Sequence, residues 1–67
     1  MSVTHPDIAV QLSGTDGNVF ALLGRVTAAM RAGGVPAEQI KQLTDQVFDA
    51  GSYDEVLQLF GRTVVVS

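Results

Sequence analysis

Apolar and polar side chains alternate from Ile8 through Val10 and Leu12, the period of two that a strand shows when one face is buried. This predicts a strand over about 7–12, after a polar lead over 1–6 that Pro6 interrupts and that is expected to be flexible. The period then changes. Val19, Phe20, Leu22, Leu23, Val26 and Met30 recur at helical spacing and predict a helix from Asn18 to Ala32, with Thr27 on the same side. Ser13-Gly14-Thr15-Asp16-Gly17-Asn18 supplies the turn before it, with Asp16 or Thr15 as the expected cap, and Gly33-Gly34 supplies the left-handed residue that commonly closes a helix. Pro36 suits the start of a second helix, whose apolar side is Ile40, Leu43, Val47 and Phe48 and which should stop at Gly51. Ser52-Tyr53-Asp54-Glu55 fits a capping box, in which the serine oxygen accepts from the Glu55 amide and the glutamate returns a bond to the serine amide. A third helix therefore starts at Tyr53, turns Val56, Leu57 and Phe60 inward and closes at Gly61, before the β-branched run Thr63-Val64-Val65-Val66 predicts a second strand.

The order strand, three helices, strand implies one small α+β domain over 1–67, with a two-stranded sheet packed on three helices. Pairing direction is open at this level, antiparallel being the commoner. A lone two-stranded ribbon is marginal in water, and an edge as apolar as Val64-Val65-Val66 is a template for another strand. Two copies pairing edge to edge would extend the sheet to four strands. Gly24 interrupts the first helix at a cost of about 1 kcal/mol relative to alanine, which a close approach by another backbone would explain.

Size sharpens the expectation of a homodimer. A domain of 67 residues hides only about 60 % of its unfolded surface and usually needs a disulfide, a metal or a second chain. With no cysteine and His5 as the one histidine, self-association is the device that remains. Four Lys and Arg against seven Asp and Glu give a net charge of −3, a field that repels nucleic-acid phosphates and anionic membranes. The first residues, Met1 to Asp7, do not read as a secretory signal, no apolar run approaches a membrane span, and a cytoplasmic location is expected.

Candidate chemistry is sparse. The turn Gly14, Thr15, Asp16, Gly17 and Asn18 precedes a helix start, where amides attract anions, but it has neither phosphate-loop nor dinucleotide spacing, and an aspartate cap would occupy the amides. Asp16-x-Asn18 resembles the start of a calcium loop, yet Thr27 stands where the bidentate glutamate belongs. Zinc lacks ligands. His5 with Asp7 would need a rigid setting to act as a base, which a lead before Pro6 does not provide. Asp45, Asp49, Asp54 and Glu55 gather around the second helix's end and the third's beginning, an acidic patch for a basic partner or a carboxylate pair for acid/base chemistry, though most simply a solvated face. Asp45, Asp49, Tyr53 and Asp54, and separately Val64, Val65 and Val66, are the candidate interaction residues. Arg25 and Arg31 read as surface charges beside an alanine strip, Ala21, Ala28 and Ala32, suited to a partner helix.

The segment from Gln11 to Val26, with its Gly-Thr-Asp-Gly-Asn-Val-Phe-Ala-Leu-Leu-Gly core, resembles a family of short uncharacterised proteins of bacteria, actinobacteria especially, and bacteriophages, and Gly51 to Leu57 resembles a second segment of that family. The resemblance implies a small stand-alone protein and no particular activity. Where relatives carry a histidine after the Tyr-Asp pair and a tryptophan before the last strand, this chain has Glu55 and Arg62-Thr63, so no site built on those side chains transfers. The functional expectation is a self-associating, non-enzymatic protein-interaction module without a cofactor and with its protein partner unknown. The alternative is a small regulatory protein touching nucleic acid or a nucleotide through the turn from Gly14 to Asn18.

Overall fold

The computed structural model describes residues 3–14 and 17–67. The order is β1 (His5–Val10), α1 (Val19–Ala32), α2 (Ala37–Asp49), α3 (Tyr53–Thr63) and β2 (Val64–Val66), the βαααβ arrangement read from the pattern.

The two strands pair in parallel, not in the antiparallel sense that base frequency favours. Parallel neighbours need a long crossover, and the three helices between the strands are that crossover. Register runs His5 to Val64, Ala9 to Val65 and Val10 to Val66, with an irregularity between His5 and Ala9. Pro6 lies inside that irregularity, where a residue without an amide hydrogen breaks no ladder bond. His5 and Pro6, read from the sequence as part of a lead, are thus the first residues of β1. Pairing extends past both ends of β2. The Thr4 amide donates to the Arg62 carbonyl at 2.9 Å, and the Leu12 and Ser13 amides both reach the Ser67 carbonyl, at 2.8 and 3.0 Å.

Each helix end has a local chemical cause. Asn18, not Thr15 or Asp16, caps α1: its Oδ1 accepts from the Phe20 amide at 2.8 Å, and the two residues first expected lie outside those described. At the other end Gly34 adopts φ +83°, the Val35 amide donates to Met30 and the Gly34 amide to Arg31, a complete Schellman closure. Pro36 stands one residue before α2, its carbonyl accepting from Gln39 and Ile40. Ser52 Oγ accepts from the Glu55 amide at 3.2 Å as a capping box requires, but Glu55 Oε2 takes the Gly51 amide, at 2.8 Å, in place of that of Ser52. Gly61 does not end α3. The helix continues through Thr63, whose Oγ1 donates to the Leu59 carbonyl at 2.7 Å, and β2 follows with no loop between.

The core lies between the sheet and the helices. Ile8, Val10 and Leu12 meet Leu22, Leu23, Val26 and Met30 of α1, Ile40, Leu43 and Val47 of α2, and Val56 and Phe60 of α3, with Val64 beneath them. Gly33 is the close approach: a Cβ there would stand 2.7 Å from Ile8 Cδ1. At Gly24, where the sequence predicts a close approach, a Cβ would meet no atom within 4 Å beyond its own helix backbone. Three side chains read as inward-facing, Phe20, Phe48 and Leu57, are at the surface.

Candidate interaction face

The residues singled out in the sequence do not converge on one place. Gly14 turns with φ +79°, and the Asn18 side chain is committed to capping α1. A Cβ on Gly17 would stand 3.5 Å from Tyr53 Oη, so Tyr53 leans from α3 toward the start of α1 with its ring partly exposed. Asp49 lines a groove of about 400 Å3 between α2 and α3 with Gln46, Glu55, Gln58 and Arg62. Within it Glu55 Oε2 accepts from the Gly51 amide, and Arg62 Nη2 donates to Gln58 Oε1 at 3.4 Å. Asp45 and Asp54 are exposed and stand outside that groove. Val64 is fully buried, whereas Val65 and Val66 pair with β1 and keep part of their surface open. His5 Nε2 lies 3.1 Å from Gln39 Oε1, a bond that ties β1 to α2. Among the described residues no group of three or more His, Cys, Asp or Glu is placed to hold a metal ion, and no helix is long and apolar enough to cross a membrane.

What stands out is a pair that the sequence reading put in the core. Phe20, at 67 % exposure, and Phe48, at 62 %, bring their ring centroids to 5.8 Å with planes tilted by 46°. Such tilted contacts favour the edge of one ring against the face of the other. Phe20 is at the beginning of α1 and Phe48 at the end of α2, so the two helices run in opposite directions along a shared outer seam. Gly24 follows Phe20 by one turn and leaves the middle of that seam low. At its far end Arg31, Ala37, Ile40, Lys41 and Thr44 line a hollow of about 220 Å3 whose walls are mostly hydrocarbon. Asp45 sits between the ends, one turn past Lys41 and three residues before Phe48.

The signal for this face was present in the chain. At about 100° per residue, Phe20 is roughly a quarter turn from the centre of the stripe formed by Leu22, Leu23, Val26 and Met30, and Phe48 is displaced by a similar angle from Ile40, Leu43 and Val47. Each phenylalanine marks the flank of its helix, and the packing of α1 on α2 turned both flanks to the same side. No protein-family model, curated protein or solved structure matches the chain.

Proposed function

We propose that this chain is a small non-enzymatic interaction module that associates with itself through the outer face of α1 and α2. One observation carries the reading: two of its three phenylalanines pack against each other in solvent and not in the core. Keeping a phenylalanine out of an apolar environment forgoes about 1.5–3 kcal/mol, and adjacent exposed aromatics are what interface centres are built from. Arg31 and Lys41 line one end of the face and the exposed Asp45 sits along it, as in a binding patch with a polar rim.

Light scattering over a concentration series tests it. The wild-type mass should climb from that of the 7.0 kDa chain toward twice that value, while a Phe20→Ser, Phe48→Ser double variant stays at the lower value with an unchanged circular dichroism spectrum. A wild-type chain that remains monomeric at high micromolar concentration removes the reading.

A further inference from the structure

From the distribution of charge and shape along this face we infer that the two copies dock antiparallel across α1 and α2, so that Phe48 of each copy enters the Arg31–Lys41 hollow of the other; the inference rests on the self-association proposed above.

The seam is asymmetric in a self-complementary way. One end projects, carrying Phe20 and Phe48 at more than half exposure, and the other end recedes into the hollow of about 220 Å3. A two-fold axis near the middle of α2 exchanges these ends, which is the defining property of an isologous contact: a projection meets a recess twice. Phe48 then lies over Ala37 and Ile40 of the second copy, and the open space at Gly24 lets the two helix pairs approach.

Charge follows the same exchange. Arg31 and Lys41 are two of the chain's four cations and both line the hollow. Asp45 is on the projecting half, three residues from Phe48. Seating Phe48 in the hollow carries Asp45 toward Lys41 of the second copy, twice in the dimer, although the same rotation brings Glu38 toward Asp49 of that copy; a parallel superposition of the two faces would set every charge against its like. One whole side of a body measuring 27 × 25 × 24 Å with 4266 Å2 of surface is about 700 Å2, so two copies meeting over a full side would bury about 1,400 Å2, inside the roughly 1,200–2,000 Å2 of stable specific interfaces.

A charge exchange between two variants tests the arrangement. Lys41→Glu alone and Asp45→Lys alone each place like charges together at both ends of the dimer, and each should associate about tenfold or more weakly than wild type. Mixed in equal amounts they should restore association as a heterodimer, because the glutamate introduced at position 41 of one then faces the lysine introduced at position 45 of the other; recovery on mixing also shows that both variants are folded. In a sample combining isotope-labelled and unlabelled wild-type chains, the Phe48 ring should give intermolecular contacts to the Ala37 methyl, which lies too far along α2 for a contact within one chain. Variants that self-associate like wild type, a mixture that stays monomeric, or Phe48 contacts to the second copy's Phe48 alone would each overturn the antiparallel arrangement. If association nevertheless depends on Phe20 and Phe48, the proposed function survives and only the geometry falls; a monomeric wild type removes both.

Discussion

At the scale of single residues the glycines separate two physical roles. Gly34 has φ +83°, where an L side chain is strained by roughly 1–2 kcal/mol, so Gly34→Ala should destabilise by about that amount. Gly24 is in mid-helix with open space around its missing Cβ, so nothing there offsets the backbone freedom it gives the unfolded chain. Gly24→Ala should therefore stabilise by about 0.5–1 kcal/mol. Urea midpoints of the two variants, taken at a concentration where the chain is monomeric, should move in opposite directions with the same slope. A destabilised Gly24→Ala would mean that the alanine methyl meets a neighbour.

At the scale of elements the caps divide the work unequally. α1 and α3 begin with side-chain caps, Asn18 and Ser52, while α2 begins behind Pro36 with none. The α3 cap matters beyond its own helix, because α3 runs into β2 without a loop and any fraying is transmitted to the strand that completes the sheet. Ser52→Ala should cost about 1 kcal/mol in denaturant unfolding. It should also speed amide exchange at Ser67, whose amide donates to the Val10 carbonyl at 3.0 Å, if the end of the sheet opens together with α3. Loss of stability with no change at Ser67 would show that the two elements open independently. The glutamate half of the capping box illustrates how local chemistry is redirected: Glu55 serves the Gly51 amide, so it braces the α2–α3 turn as well as the helix start.

At the scale of the whole molecule the three phenylalanines should behave as two kinds of residue. Phe60 has no exposed surface and touches the centre of the core, whereas Phe20 and Phe48 face solvent. Phe60→Ala should cost about 3–5 kcal/mol, a large part of the roughly 3–10 kcal/mol expected for a chain of this length. Phe20→Ala should leave the monomer within about 0.5 kcal/mol of wild type. Thermal melts at low concentration distinguish the two. The surface of 4266 Å2 is close to the roughly 4,000 Å2 that scaling assigns to a folded monomer of 7.0 kDa, so the chain is as compact as its length predicts. What points to this particular face for association is the exposed pair Phe20 and Phe48.

The order of elements, their approximate limits and most of the core were legible in the chain because they depend on nearest neighbours: the change of period from two to helical, the Gly33-Gly34 closure, the Ser52 cap, the β-branched end. Only the tertiary structure decided what depends on distant parts meeting. The sense of β2 against β1 follows from how three helices return the chain, so no count of strand residues reveals it. Which flank of each helix is left open follows from the angle at which α1 meets α2, and that angle put Phe20 beside Phe48 at one end and Arg31 beside Lys41 at the other. An amphipathic stripe defines the side of a helix that seeks the core within about a quarter turn; the packing of its neighbours determines what happens at the margin, and there this protein keeps its candidate site.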